Sequence, residues 1–192
     1  MLNKDVDMRA DCAQILLGGE ALEATVTRLA REIEDTYRDS DKQLVMVVIL
    51  KGSMPFAADL MKKINLPLQL EFMKVSSYGT GTKSSGEIKV SLDLTRDDLQ
   101  DIDLIVVEDI VDSGRTLSRL TALLKNRNAH SVRTCTLLDK PSRREADFTP
   151  DFCGMTVPDE FVVGYGLDYN EKYRNLPFIG VLRREIYDHA DE

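Results

Sequence analysis

Cysteine is scarce in this chain. Cys12, Cys135 and Cys153 are an odd number of thiols set far apart, which gives neither a disulfide framework nor a metal-ligand spacing. Long apolar runs are missing as well, and none reaches the length that spans a bilayer. The N-terminal stretch MLNKDVDMRADC carries acids and lacks a hydrophobic signal core, so a cytoplasmic protein with no membrane partner is expected. Basic charge is in deficit: 25 Lys and Arg against 33 Asp and Glu give a net charge of −8. That balance disfavours a nucleic-acid binder, which needs a basic face, and no nucleic-acid partner is expected. It leaves room for a nucleotide enzyme, because a local site can be basic within an acidic protein. The phosphate-loop patterns GxxxxGK[ST] and GxGxxG are both absent. No internal repeat or low-complexity linker interrupts the chain.

What is present is an alternation of periodic segments. A chain of 192 residues with 43% apolar content has ample length for one core, and a single domain over residues 1–192 is expected. Ile15 to Leu17, ahead of Gly18-Gly19, reads as a short strand. Glu20 to Tyr37 reads as an amphipathic helix with Leu22, Val26, Leu29, Ile33 and Tyr37 on one face. Leu44 to Leu50, LVMVVIL, reads as a buried strand. It runs into Lys51-Gly52-Ser53 and a helix from about Met54 to Ile64, with Pro55 tolerated in the first turn. Pro67 to Val75 and Ile88 to Leu92 read as strands around a polar, glycine-rich stretch. A stretch of that length is either a floppy hairpin tip or a working lid. Further on come a helix at Thr116 to Asn128, a strand at Ser131 to Leu138, a turn at Pro150 to Met155, and short strands at Phe161 to Val163 and Ile179 to Leu182. Alternating strands and helices predict an α/β domain with a mostly parallel central sheet and right-handed crossovers.

One stretch carries chemistry: Leu104 to Leu117, LIVVEDIVDSGRTL. Its apolar opening suits a strand buried on both faces. Glu108 and Asp109 follow, and then the small-residue turn Asp112-Ser113-Gly114-Arg115-Thr116. Leu117, Leu120, Leu123 and Leu124 are spaced for one helix face. Strand, small-residue turn and helix make an anion site, because the first backbone N–H groups of a helix lack internal partners and sit at its positive end. Gly114 lets the backbone curl into a nest of N–H groups, and Ser113 and Thr116 add hydroxyl donors. Three acids would repel a bare phosphate. A phosphorylated ribose with Mg²⁺ satisfies both halves, since sugar diols and hard cations suit carboxylates. Taken alone, D-S-G is an ordinary strand-to-helix turn with Asp112 or Ser113 as the N-cap.

At these residues the chain resembles the type I phosphoribosyltransferases, whose phosphoribosyl pyrophosphate (PRPP) signature is a hydrophobic strand, two acids, two apolar residues, then D-[ST]-G-x-T. Three other blocks resemble the hypoxanthine-type members: LKGS at residues 50–53, SSYG at 76–79, and FVVGYGLDYNEKYRNL at 161–176. The resemblance covers nearly the whole chain, from about Ile15 to Leu182, and is strongest in these four blocks. The resemblance implies that fold, with a small hood from the N-terminal segment and residues 140–175 and a long flexible hairpin loop. It implies transfer of the phosphoribosyl group from PRPP to hypoxanthine or guanine, giving the nucleoside 5′-monophosphate and pyrophosphate.

Residue roles follow from the same resemblance. Glu108 and Asp109 hold the ribose hydroxyls, and Ser113, Gly114, Arg115 and Thr116 cradle the 5′-phosphate. Lys51, Gly52 and Arg174 bind pyrophosphate, with the Leu50–Lys51 peptide bond expected to be cis. Lys140 donates to the 6-oxo group of the purine, Phe161 stacks on it, and the Val162 backbone reads its edge. Asp168 is expected in the purine site and as a Mg²⁺ ligand, directly or through water, with Glu108 and Asp109 as further metal candidates. Ser77 and Tyr78 belong to the mobile loop. Asp112, at the turn, is the candidate general base. The family forms dimers and tetramers, so a homodimer or homotetramer is expected. Two alternatives stay open on sequence alone: a phosphoribosyltransferase preferring xanthine or a pyrimidine, and a non-enzymatic regulator of the same fold that binds nucleotide and RNA.

Overall fold

The structure is a computed structural model and describes residues 7–77 and 88–188. In chain order its elements are β1 (Cys12–Leu17), α1 (Gly19–Tyr37), β2 (Gln43–Ile49), α2 (Met54–Met61), β3 (Leu68–Ser77) and β4 (Ile88–Leu92). Then come β5 (Ile102–Val111), α3 (Arg115–Asn126), β6 (Ser131–Asp139), a 3₁₀ turn at Pro141–Arg143, β7 (Phe152–Thr156), β8 (Val162–Val163), β9 (Ile179–Leu182) and α4 (Arg184–Tyr187).

Six strands form the main sheet in the order β4-β3-β2-β5-β6-β7. Every pair in it is parallel except β3 with β4. The apolar runs of β2 and β5 alternate between two cores, as strands covered on both faces must. Leu44, Met46, Val48, Ile105 and Val107 pack with α1 and α2. Val45, Val47, Ile49, Leu104 and Val106 pack with Leu117, Leu120 and Leu124 of α3. Strand β2 leaves through α2 toward β3, and β5 leaves through α3 toward β6 on the opposite face. Between the carboxyl ends of β2 and β5 the chain therefore diverges, and a crevice opens at that switch point. A second sheet, β1-β9-β8, is antiparallel and has its own core of Cys12, Val163, Tyr173, Leu176, Phe178 and Leu182.

Two expectations need correcting. Pro150 to Met155 is not a turn: residues 152–156 form β7, paired in parallel with β6 from Cys135↔Phe152 to Asp139↔Thr156. Its Pro, Asp and Gly resemble turn residues, yet Phe152 is buried and Gly154 is needed for space. A Cβ at Gly154 would lie 2.3 Å from the Leu137 carbonyl oxygen. The strand is at the sheet edge, where its free carbonyls at Cys153 and Gly154 accept hydrogen bonds from Arg28 of α1 at 3.1 and 2.6 Å. The second correction is the length of β5. It runs through the two acids to Val111, so Glu108 and Asp109 lie within the strand and not in a loop beyond it.

At its amino end, the central strand β5 is tied by a buried carboxylate. Asp103 accepts from Ser40 Oγ at 2.6 Å and from the Ser131 hydroxyl, and His130 Nδ1 lies 2.8 Å away. Burial alone would raise its carboxyl pKa, but these hydrogen bonds, His130 foremost, outweigh burial and hold it below the usual range. A lowered folded-state pKa contributes stability above the unfolded value of about 4, and that contribution is lost as pH falls through the folded value. Asp103→Asn should therefore cost about 1.5–3 kcal/mol in urea unfolding at pH 7. The gap to the wild type should narrow below about pH 4; a gap constant with pH would show that charge is not what Asp103 contributes.

Candidate active site

Glu108 and Asp109 end the buried part of β5 beside the Leu50–Lys51 loop, whose peptide bond is cis, as the resemblance implies. Glu108 Oε2 is shielded from solvent and has no hydrogen-bond partner. Burial first, and the charge of Asp109 second, push the Glu108 carboxyl well above its usual range. Asp109 is also raised by burial, although its Oδ1 accepts from the Ile110 N–H at 2.8 Å. The loop after β2 closes directly on this pair. A Cβ at Gly52 would fall 1.6 Å from Asp109 Oδ2, and one at Gly166 would fall 1.9 Å from the Gly52 carbonyl oxygen. Two glycines thus let three chain segments meet at one point.

The turn after β5 is built for an anion. Gly114 takes φ +75° and serves as the N-cap of α3, in place of the Asp112 or Ser113 cap of the plain-turn reading. Gly114 has no side chain to cap the helix; the Arg115 N–H makes a long contact to Ser113 Oγ at 3.4 Å, and the N–H groups after it stay available. A cleft of about 320 Å³ opens here, lined by Lys51, Gly52, Glu108, Asp112, Ser113, Gly114 and Thr116 among others.

A neighbouring cleft of about 370 Å³ is lined by Asp109, Ile110, Asp112, Lys140, Arg143, Phe161, Val162, Leu167 and Asp168. Lys140 is buried, and its Nζ donates to the Glu160 carbonyl at 2.8 Å. Asp168 Oδ1 pairs with Arg174 at 2.7 Å, while its Oδ2 accepts from the Glu171 N–H at 2.9 Å. Asp168 sits in a tightly coiled loop in which Tyr165, Asn170, Glu171 and Tyr173 all have positive φ. Both clefts include Ile110 and Asp112. Asp112 is the junction between the anion cradle and the pocket of Lys140 and Phe161.

Some expected residues stand apart from the clefts. Arg115 turns to Glu145 at 2.5 Å and lines neither cleft. Arg174 lines neither cleft and donates to the Gly166 carbonyl at 2.8 Å. Its NH2 reaches Glu171 Oε2 at 3.4 Å, and Lys51 Nζ reaches the same oxygen at 3.1 Å. One carboxylate thus bridges the two cations expected to bind pyrophosphate, and the Arg174 Nε is buried without a partner. Ser77 ends β3 opposite Ile88. Tyr78 and the rest of residues 78–87 lie outside the described residues. Among the described residues, no three His, Cys, Asp or Glu side chains converge to hold a metal ion.

Sequence reasoning missed the clamp around the turn. Arg144 donates from NH1 to the Asp112 carbonyl at 2.7 Å and pairs through NH2 with Asp139. The N–H groups of Glu145 and Ala146 both donate to the Ser113 carbonyl at 3.0 Å. Arg143 Nε lies 3.3 Å from Asp112 Oδ1, and its NH1 lies 3.5 Å from Asp159. The only signal available was the basic pair Arg143-Arg144 shortly after Lys140, which resembles any solvated charge cluster.

The profile of the phosphoribosyl transferase domain matches residues 13–170. The chain is 48% identical to the hypoxanthine-guanine phosphoribosyltransferase of Bacillus subtilis, over 94% of this chain and 99% of that protein. It is also 48% identical to the bifunctional protein TilS/HprT of Listeria monocytogenes, again over 94% of this chain but only 27% of the relative's length. A crystal structure of a hypoxanthine phosphoribosyltransferase from Staphylococcus aureus superposes with a TM-score of 0.89 at 44% identity, covering 96% of this chain and 99% of that one. The chain belongs to the phosphoribosyltransferase family and has its type I α/β fold, with a mostly parallel central sheet flanked by helices.

Buried and raised, the Glu108 carboxyl resists ionisation in the folded protein. Its contribution to stability is greatest at low pH and is lost as pH rises through the folded value. Glu108→Gln should raise the stability of the ligand-free protein by about 1 kcal/mol at pH 8, a rise of roughly 2–4 °C in Tm for a chain of this size. The gain should shrink toward pH 5, and thermal melts at the two pH values measure it. Gly166→Ala should do the reverse at every pH, because φ is +104° there and the obstructing Gly52 atom is backbone.

Proposed function

We propose that the protein transfers the 5-phosphoribosyl group of PRPP to a 6-oxopurine, hypoxanthine and also guanine, in purine salvage. The observation that carries this is the convergence of the two clefts on Asp112. An anion cradle on one side and a lysine-and-aromatic pocket on the other meet at a carboxylate. The names borne by the Bacillus and Staphylococcus relatives support the same reaction.

PRPP binds through its 5′-phosphate on the turn of Ser113, Gly114 and Thr116, where uncapped N–H groups face the cleft. Arg115 supplies its backbone to that turn while its side chain is held by Glu145. Glu108 and Asp109 hold the ribose hydroxyls, which gives the unpartnered Glu108 oxygen the donors it lacks in the free protein. Lys51, Gly52 and Arg174 take the pyrophosphate, displacing the Glu171 carboxylate that bridges both cations. The donor set also fits Mg²⁺, which is held by one or two carboxylates with substrate oxygens completing its shell. One or two of Asp168, Glu108 and Asp109 would hold it. When bound, it offsets negative charge on the pyrophosphate.

As pyrophosphate leaves, positive character grows on the ribose, and the nearby carboxylates stabilise it. Asp112 accepts the proton released by the attacking imidazole nitrogen of the purine. Lys140 Nζ donates to the 6-oxo group, Phe161 stacks on the base, and the Val162 backbone reads its edge. By the family resemblance, the segment carrying Ser77 and Tyr78 would cover the site and keep water from the oxocarbenium-like state. The site belongs to one domain over residues 1–192, with the small sheet as part of its hood.

The same reading places the enzyme in the cytoplasm as a homodimer or homotetramer. Among the described residues no helix is long and apolar enough to cross a membrane. Exposed Leu70, Phe72 and Leu92 on β3 and β4, with Met54 and Met61 on α2, offer apolar surface to another copy.

A PRPP- and Mg²⁺-dependent assay with hypoxanthine, guanine, xanthine and adenine side by side tests the proposal. Hypoxanthine should turn over, and adenine should be used at least ~10-fold less well, because its 6-amino group leaves the Lys140 donor unpaired. Asp112→Asn should lower kcat by about 10²–10⁴-fold. PRPP binding with no base consumed would replace the enzyme by a nucleotide-binding regulator.

A further inference from the structure

Phe161 borders the base cleft, and the space behind it is filled by aromatic rings. Tyr187 stacks on Phe161 with ring centroids 4.9 Å apart and planes inclined by 27°. Tyr169 meets the same ring edge-on at 5.5 Å and 89°. Neither tyrosine lines the cleft, so Phe161 stands between it and them. All three rings pack on the separate core of the small sheet.

Tyr187 is the last residue of α4, a single turn that could not hold its place by helix propensity alone. The segment that carries it is tied by hydrogen bonds to backbone carbonyls. The Arg183 N–H donates to the Asp11 carbonyl at 3.0 Å, and the Arg183 Nε donates to the Ala10 carbonyl at 2.9 Å. The Ile186 N–H donates to the Arg183 carbonyl at 3.1 Å. The Leu182 N–H donates to the carbonyl of Phe161 itself at 2.8 Å. The tyrosine is therefore delivered to the rear of the purine-side ring by the strand that pairs with the backbone around it.

We propose that Tyr187 is a positioning residue for base recognition: its ring fixes the plane of Phe161 so that the purine meets a stacking face already oriented. The proposal deepens the function given above and rests on the cleft taking the base. A phenylalanine at the edge of a cleft turns about χ2, and ordering it on binding would cost entropy. Backed by one stacked ring and one edge-on ring, Phe161 has lost that freedom before the base arrives. Stacking preference depends on ring geometry beyond the area it buries, so an apolar side chain of similar bulk cannot replace it fully.

Steady-state kinetics of the full chain with Tyr187→Ala, Tyr187→Leu and Tyr187→Phe provide the test, with both substrates varied. In Tyr187→Ala, KM for hypoxanthine should rise by about three- to ten-fold. KM for PRPP and kcat should stay within about two-fold, because Tyr187 touches neither the phosphate turn nor Asp112. Tyr187→Phe should restore the base KM, and Tyr187→Leu should not. An unchanged base KM overturns the proposal. So does a parallel rise in both KM values with a lowered Tm, or rescue by leucine as complete as by phenylalanine. Absence of hypoxanthine turnover in the wild type overturns it together with the base-site reading. An active wild type with a kinetically silent Tyr187→Ala overturns this inference alone.

Discussion

Two carboxylates at the end of a strand buried on both faces are the constraint on which the site depends. Glu108 and Asp109 occupy the place where β5 leaves the core, and their burial raises both carboxyl groups above the usual range. Ordinary folding would not favour acids there, because an unpaired buried oxygen is costly. The surrounding chain accommodates them at close quarters. Gly52 lacks a side chain so that Asp109 can lie against the loop after β2, and Gly166 lacks one so that the next loop can reach Gly52. Under the proposed function, sugar hydroxyls and a cation would supply the partners that the Glu108 oxygen lacks.

The rest of the site is assembled by linking elements that are distant in sequence. Segment 143–146 grips the phosphate turn through the Asp112 and Ser113 carbonyls while belonging to the same connection as Lys140. Under the proposed function, the turn that would take phosphate and the lysine that would read the base are thereby held in one rigid relation. Transfer between two substrates needs such a relation, because small displacements of the reacting groups cost large factors in rate. The small sheet adds a third part, bringing Phe161 and Val162 to the cleft from a separate aromatic core.

Charge is handled economically in the free protein. Lys51 and Arg174 carry like charge, and the Glu171 carboxylate contacts both. The pair of contacts is solvent-exposed and therefore weak. Under the proposed function, weakness suits the role: a carboxylate that holds the cations loosely would be readily exchanged for a pyrophosphate that carries more charge.

Much of this was readable from local chemistry. The apolar runs of β2 and β5, the spacing of leucines in α3 and the small-residue turn between them specify their own conformations, because each depends on neighbours a few residues away. The anion turn, the Lys51 loop and the position of Lys140 follow from strand ends meeting on one edge of a parallel sheet, whereas Phe161, Val162 and Asp168 are implied only by the family resemblance and reach the cleft from the small antiparallel sheet and the loop after it. What local chemistry could not convey was decided by packing. Gly154 marks a turn by composition and a strand in fact, because only the folded sheet brings the Leu137 carbonyl against it. Arg144 and Arg143 look like solvated charges until β6 carries them to Asp112. Tyr187 looks like a residue of a polar tail until β9 returns it to the back of Phe161. The sequence by itself determined which elements form and which residue types can bind an anion and a base; the tertiary structure decided which side chains face each other, because contacts between distant segments leave no periodic trace along the chain.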